Sequence, residues 1–177
     1  MVRSMIRFSA VVLQLAAVAA LSGCFSGDKE SYPHNDAHLV RPLPAGLYTS
    51  TDRDGAVTTI KLMAVANGKY SAVTKDDTYE VGFYPNTQTT YLMYAKGNKM
   101  GYLYFLAQPT QNGGMLVYDA TEAAESLLSQ WLGQKTFARD SPLPFTTADR
   151  NKLFLTRLGS MDSRQFSVQL RLTPQGR

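Results

Sequence analysis

Turn residues divide the stretch from Gly46 to Asp119 into short runs, at a spacing of about ten residues. Several of these turns contain Asp-Gly or Asn-Gly pairs, such as Asp54-Gly55 and Asn67-Gly68. Such pairs favour two-residue hairpin loops, because both central positions of the loop need a positive φ. The pattern therefore predicts an antiparallel β-meander. The predicted strands are Leu47 to Thr51, Val57 to Ala66, Tyr70 to Thr74, Tyr79 to Tyr84, Thr89 to Ala95, Tyr102 to Ala107 and Met115 to Tyr118.

The early and late strands of the meander differ in how their apolar residues are spaced. In the second strand, Ile60 and Leu62 alternate with polar residues such as Lys61, so one face is apolar and the other polar. The run from Tyr102 to Ala107 is apolar on both faces. A continuous apolar run of this kind is typical of a strand that is covered on both sides.

Two amphipathic stretches that follow the meander are predicted to supply this cover. The first has a capping-box spacing at Asp119 and Glu122 and can end at Gly133. The second starts at Thr146 and stops at Gly159. Each carries apolar residues on one helical face, so both are expected to pack on the sheet. These residues are Ala120, Ala124, Leu127, Leu128 and Trp131 in the first stretch and Ala148, Phe154, Leu155 and Leu158 in the second.

The last part of the chain, Gln165 to Leu172, alternates strictly between apolar and polar residues. This period predicts one half-buried strand, which places Phe166, Val168, Leu170 and Leu172 on a single face. The strand is expected to return to the sheet, where it either pairs at an edge or closes the meander. The sequence therefore predicts an α+β fold. In this fold a meander of about six to eight antiparallel strands, open or curled into a partial barrel, packs with one or two α-helices.

The N-terminal stretch has the architecture of a signal peptide. Arg3 and Arg7 form a charged segment, and an apolar run from Phe8 to Leu21 follows it. The run has about fourteen residues, fewer than the roughly 20 that a permanent membrane-spanning helix needs. Small residues then precede Cys24, the only cysteine of the chain. We therefore expect this segment to be removed.

The tetrapeptide Leu21-Ser22-Gly23-Cys24 resembles the lipobox of bacterial lipoproteins. The resemblance implies that a diacylglyceryl group is attached to the Cys24 sulfur and that cleavage falls between Gly23 and Cys24. It also implies the outer membrane of a Gram-negative bacterium, because Phe25 stands where an Asp favours retention in the inner membrane. An ordinary secretory signal that ends near a free cysteine is the alternative.

The predicted organisation has three parts. Residues 1–23 are a signal peptide, residues 24–44 are a lipidated N-terminus and flexible tether, and residues 45–177 are a single β-rich globular domain. The tether assignment depends on a polar composition and on three prolines, which interrupt any helical or strand period. The domain is long enough to bury a sizeable core without disulfides or a metal.

The charge of the chain gives little support to nucleic-acid binding. The 18 Lys and Arg residues include Arg3 and Arg7, so 16 remain in the predicted mature chain against 14 Asp and Glu residues. These charges are interspersed, and no basic stripe is interleaved with aromatic residues. The expected partners are instead the membrane, through the lipid on Cys24, and an envelope protein or lipid.

Two short motifs contain potential metal ligands. His34, Asp36 and His38 lie close together in the predicted tether, but a closed set of four ligands is missing. Asp52-Arg53-Asp54-Gly55 has part of a calcium-loop spacing, but no acid follows between Ala56 and Met63. We therefore expect a hydrated linker and a hairpin turn, with no metal and no cofactor.

Catalytic side chains are scarce. The predicted domain contains no histidine or cysteine and no Gly-x-Ser-x-Gly motif, so a hydrolase with an activated nucleophile is not supported. Paired carboxylates could still act on a glycan, and Asp76, Asp77, Glu80 and Asp119 are the available acids. Because Asp76 and Asp77 lie in a turn signal and Asp119 at a helix cap, we expect a protein that is not an enzyme.

Tyrosines are the most suggestive residues of the meander. Their β propensity favours a place in the core or on the sheet surface, although a tyrosine also suits a binding surface. The tyrosines are Tyr70, Tyr79, Tyr84, Tyr91, Tyr94, Tyr102, Tyr104 and Tyr118.

The favoured function is a non-catalytic domain that binds a protein or envelope component. The alternative is a carrier of a lipid or small hydrophobic ligand, and a carboxylate-based glycan enzyme ranks third.

Overall fold

The computed structural model describes residues 25–27, 31–32, 36–86, 89–98, 101–119, 121–133, 145 and 147–176. The predicted signal peptide, the cleavage site at Gly23 and the lipidation site at Cys24 lie outside these residues. The described strands are β1 (Phe25–Gly27), β2 (Gly46–Asp52), β3 (Val57–Ala64), β4 (Tyr70–Val73), β5 (Thr78–Pro85), β6 (Tyr91–Gly97), β7 (Tyr102–Pro109), β8 (Met115–Tyr118) and β9 (Val168–Pro174). The described α-helices are α1 (Thr121–Leu132) and α2 (Ala148–Gly159), and short 3₁₀ helices lie at Asp36–His38 and Ser163–Gln165.

Strands β2 to β9 form a closed antiparallel barrel of eight strands. From β2 to β8, each strand pairs with the next one along the chain. Strand β9 then pairs with β8 on one side and with β2 on the other, where Leu172 lies opposite Ser50. The prediction of a β-rich fold with a few helices is confirmed in this broad form, but the barrel is closed rather than partial. Closure removes the unpaired edges that an open meander would expose.

The hairpin turns follow the sequence prediction. Between β2 and β3, a carboxylate oxygen of Asp52 accepts hydrogen bonds from the backbone N–H groups of Asp54 at 3.0 Å and Ala56 at 2.8 Å. Between β3 and β4, Asn67 and Gly68 both have positive φ, of 57° and 76°. The calcium-loop fragment is therefore a hairpin turn, as expected from its missing ligands.

The barrel interior is occupied by side chains from all of its strands. A barrel of eight strands leaves an interior just wide enough for side chains or for one small ligand. The large side chains of Tyr48, Tyr70, Phe83 and Met115 lie here, and each is no more than 2% exposed. The interior is therefore built from aromatic and other bulky residues.

The segment before β2 covers one end of the barrel. Leu43 is buried among the interior side chains. Its N–H donates to the Tyr70 hydroxyl at 3.1 Å, and that hydroxyl donates in turn to the Leu43 carbonyl. Val40 bridges to Phe83, whose carbonyl oxygen accepts the Val40 N–H at 3.0 Å. These contacts hold the segment across the barrel end.

The outer faces of β5 to β8 are covered by α1, α2 and the N-terminal segment, and we call these faces the covered half. Outward residues such as Tyr94 and Tyr104 share one apolar cluster with Leu128 of α1 and Phe154 of α2. These strands are therefore buried on both sides, as their continuous apolar runs predict. The second helix begins at Ala148 rather than Thr146.

The described part of residues 24–44 is not the flexible tether that its composition predicts. Phe25 is fully buried and lies opposite Tyr104 in β7, beyond the part of β7 that pairs with β8. Tyr32 and Leu43 are each only 4% exposed. The prediction is wrong because well-separated apolar side chains dock into the outer layer and the barrel end. A search for a local period cannot detect such isolated contacts.

The last strand also departs from its predicted face pattern. Val117 of β8 lies opposite Leu170. The next residue, Tyr118, lies opposite Val168, which leaves one residue of β9 unmatched. Phe166 and Val168 therefore pack in the outer cluster, whereas Leu170 packs in the interior. The prediction of one shared face is wrong because a β-bulge reverses which side of the sheet a residue faces.

Candidate functional site

Tyrosines of the meander form a cluster around Tyr32 on the covered half. The Tyr32 ring lies 4.3 Å from that of Tyr84, 5.2 Å from that of Tyr94 and 5.5 Å from that of Tyr104, measured between centroids. The Tyr32 hydroxyl donates to the Leu92 carbonyl at 3.1 Å. Burial is the main cause that raises the pKa of the Tyr32, Tyr84 and Tyr94 phenols above the usual value. The cluster is therefore neutral packing at ordinary pH.

The eight tyrosines singled out in the sequence are divided between the two sides of the barrel wall. Five are buried and three are half-buried, so none of them forms an exposed aromatic patch on the sheet. Tyr70, Tyr79 and Tyr91 belong to the interior cluster, and the other five belong to the outer cluster. Their positions agree with the interpretation of these residues as core and sheet packing.

A small polar network joins the N-terminal segment to the barrel. The Lys69 ammonium lies 3.0 Å from the Asp36 carboxylate and 3.3 Å from that of Glu80. The Tyr94 hydroxyl donates to the same Glu80 carboxylate at 3.0 Å. Burial alone would lower the pKa of Lys69, but the hydrogen bond to Asp36 and the charge of Glu80 raise it above the usual value. Glu80 is therefore engaged in a structural contact.

The other acids considered for catalysis have separate local partners. The N–H of Asp77 donates to the Thr74 hydroxyl at 3.0 Å, and the Asp77 carboxylate accepts from the Thr78 N–H at 2.8 Å. Asp76 lies in the same turn. Asp119 is buried directly after β8. Asp76 and Asp77 therefore belong to a turn, and Asp119 belongs to the segment that follows β8.

The two predicted metal motifs are not assembled into a metal site by the described residues. His38 is exposed, Asp36 contacts Lys69, and His34 lies outside the described residues. Across the described ranges, no three His, Cys, Asp or Glu side chains form a group that could hold a metal ion.

The outward face of α2 combines basic and apolar side chains that the sequence analysis did not single out. Arg150, Leu153 and Arg157 are exposed and follow one side of the helix at spacings of three and four residues. The Arg150 guanidinium lies 4.7 Å from the ring centre of Phe145, and that of Arg157 lies 4.4 Å from that of Trp131. We call these five residues the α2 stripe. The sequence signal that could have identified this surface is the spacing of Arg150, Leu153 and Arg157, which lie opposite the apolar face of the predicted helix.

The inner face of α2 contacts the beginning of the described chain. The rings of Phe25 and Phe154 meet edge to face, with centroids 5.3 Å apart. Consecutive Cα atoms are about 3.8 Å apart. The residue that precedes Phe25, Cys24, is therefore bonded to a residue held beneath α2.

Among the described residues, no helix covers the outer faces of β2, β3 and β4 or that of β9 beyond Val168, and we call these faces the uncovered half. Leu47, Val57 and Met63 are among the exposed large apolar residues here, with 48%, 66% and 37% of their surface accessible. Leu47 lies opposite Lys61, so Met63 is its diagonal neighbour across the two strands. This surface is polar with scattered apolar side chains.

The fold is a closed eight-stranded antiparallel barrel with a helical layer on one side. Comparisons with known protein families, with curated proteins and with solved structures find no match for this chain. Neither of the described α-helices is long and apolar enough to cross a membrane.

Proposed function

We propose that this protein is an envelope lipoprotein, attached through lipid on Cys24, whose barrel binds a protein or envelope component without catalysing a reaction. The observation that carries the proposal is the occupied barrel interior. Tyr48, Tyr70, Phe83 and Met115 take the space that a carrier would give to its ligand. Binding is therefore assigned to the outside of the barrel.

The lipobox resemblance supports the membrane attachment, and the docking of Phe25 agrees with it. A lipid on Cys24 would be held directly beside the domain, because Phe25 is fully buried in the outer layer. Two or more acyl chains hold a protein stably at a membrane, whereas one chain does so only marginally. The proposed modification therefore needs no helical anchor.

Replacing Cys24 with Ala tests the attachment. The Cys24→Ala chain is expected to take up no labelled fatty acid in cells and to leave the outer-membrane fraction. A variant that still incorporates the label and still sediments with that membrane would contradict the proposal.

Photocrosslinking in intact cells tests the binding surface. A photoreactive amino acid at Met63 on the uncovered half is expected to capture one recurrent partner, identified by mass spectrometry. The matched control is Gln130, an exposed residue of α1 on the covered half. Capture of the same abundant proteins from both positions would count against a specific surface at Met63.

Carriage of a lipid or small hydrophobic ligand is the alternative, and closure of the barrel is the observation that favours it. Native mass spectrometry separates the two functions when it is applied to a chain that begins at Cys24, is made without residues 1–23 and therefore carries no covalent lipid, and is purified without denaturant. A bare polypeptide mass is expected from the occupied interior. A bound lipid of constant mass that survives purification would reverse the order of the two proposals.

A further inference from the structure

The proposed anchor and the α2 stripe lie on the same side of the molecule. Cys24 is bonded to Phe25, and Phe25 packs against Phe154 on the inner face of α2. A lipid attached at this point draws the covered half, rather than the uncovered half, toward the bilayer. The α2 stripe lies on the outward surface of the covered half.

The α2 stripe has the chemistry that membrane interfaces select. Basic side chains attract anionic headgroups, while Trp and exposed aliphatic residues enter the boundary between headgroups and acyl chains. Arg150 and Arg157 supply the charge, Leu153 is 56% exposed, and Trp131 is half-buried at the end of α1. The stripe therefore joins both kinds of contact on one surface.

Within α2, acidic residues do not cancel the charge of the stripe. Asp149, the acid of α2, lies 3.6 Å from Lys152, which leaves Arg150 and Arg157 in excess. Helix α1 contains Glu122 and Glu125, whose side chains lie outside the description, while its described residues nearest Trp131, Ser129 and Gln130, are exposed and uncharged. The net charge of α2 is thus positive.

We infer, on the basis of the proposed lipid anchor, that the α2 stripe lies flat on an anionic bilayer. The lipid on Cys24 supplies the attachment, and the stripe fixes the orientation of the barrel. The uncovered half then points away from the membrane, where Leu47, Val57 and Met63 are accessible to a partner.

The single tryptophan and the single cysteine of the chain make this contact measurable. All described strands and helices lie at or after Phe25, so a chain that begins at Cys24 retains every described contact. The Cys24 thiol is coupled to a maleimide lipid in vesicles of phosphatidylglycerol and phosphatidylcholine. Quenching of Trp131 emission by phospholipids with brominated acyl chains is then compared with emission in unbrominated vesicles.

The coupled chain is expected to show Trp131 quenching that is lost in the double variant Arg150→Ser, Arg157→Ser. With the thiol blocked and no coupling, partitioning of the double variant into phosphatidylglycerol vesicles should fall about 25-fold, because each basic residue near an anionic surface contributes about fivefold. The matched control removes two exposed basic residues from the uncovered half, as Lys61→Ser, Arg171→Ser, and should leave both readouts unchanged.

Two results would overturn the inference. One is an unquenched Trp131 in the coupled wild-type chain, and the other is an equal loss of partitioning in the control variant. Chemical coupling separates this test from the lipid anchor. If cells leave Cys24 unmodified while the coupled chain is quenched, the anchor is wrong and the membrane surface stands. If Cys24 is lipidated while Trp131 stays unquenched, the surface is wrong and the anchor stands.

Discussion

The two halves of the barrel wall share one interior but differ on their outer faces. On the covered half, Tyr94, Tyr104 and Leu106 face outward and are no more than 3% exposed. On the uncovered half, the outward residues Thr59 and Lys61 are exposed. Both halves have continuous antiparallel pairing. How apolar the outer face of a strand is therefore depends on the layer packed over it, rather than on the pairing within the sheet.

Cover on the outer face of a strand adds to the free energy of folding. Full burial of a large apolar side chain contributes about 1.5–3 kcal/mol to folding. The covered half gains that contribution on both faces of its strands, whereas the uncovered half gains it on the inner face alone. Substitutions on the outer faces should therefore be costly on the covered half and nearly neutral on the uncovered half.

The largest effect is expected from removing the ring that links α2 to β1. Phe154 is fully buried and contacts Phe25, so Phe154→Ala should lower the free energy of unfolding by about 3–5 kcal/mol. The neighbouring Leu153 is exposed, and Leu153→Ala should change that free energy by no more than about 0.5 kcal/mol. Urea unfolding followed by circular dichroism measures both. Equal losses would contradict the assignment of the buried face.

Two glycines, one on each half, provide a matched pair of substitutions. A Cβ atom at Gly82 of the covered half would lie 2.3 Å from the Tyr94 ring and 2.9 Å from Leu39, whereas one at Gly46 would meet nothing within 4 Å. Overpacking of this kind costs about 1–3 kcal/mol, so Gly82→Ala should lower the midpoint of urea unfolding. Gly46→Ala should leave the midpoint unchanged or raise it slightly. A tolerated Gly82→Ala would show that the covering layer is loosely packed.

The sequence predicted the features of this comparison that depend on local pattern. Hairpins such as the one at Asn67-Gly68 follow from turn chemistry, and the run from Tyr102 to Ala107 identified strands with cover on both sides. The sequence did not decide between barrel closure and pairing at an edge, because the pairing of β9 with both β2 and β8 depends on contacts far apart in sequence. Docking of Phe25 and Tyr32 was missed for the same reason, since single apolar residues in a polar segment have no period.

Alkaline titration tests the burial of the tyrosines on the covered half. Tyr32, Tyr84 and Tyr94 of the covered layer have raised pKa values, mainly because of burial, so the folded state keeps these phenols neutral where the unfolded chain ionises. The contribution of these phenols to the free energy of unfolding is then fully present below the unfolded pKa of about 10. It falls as the pH rises above that value, by about 1.4 kcal/mol per pH unit for each such group.

The control for this titration removes one phenol. Tyr94→Phe should make the alkaline loss of stability less steep, as followed by urea unfolding at several pH values above 10. Tyrosinate absorbance, which reports ionisation directly, should appear together with unfolding. Ionisation of all the tyrosines before any loss of structure would show that the covered layer is open to solvent.

The smallest effect is expected at the boundary between the halves. Lys69 directly precedes β4 of the uncovered half, and it contacts Glu80 on β5 of the covered half and Asp36 of the N-terminal segment. The three side chains are 14%, 38% and 28% exposed, so solvent screens part of their attraction. A double-mutant cycle with Lys69→Met and Glu80→Gln should give a coupling of about 0.2–1 kcal/mol that shrinks with added salt. A larger coupling that resists salt would mean that this polar network, and not the apolar layer alone, fixes the N-terminal segment on the barrel.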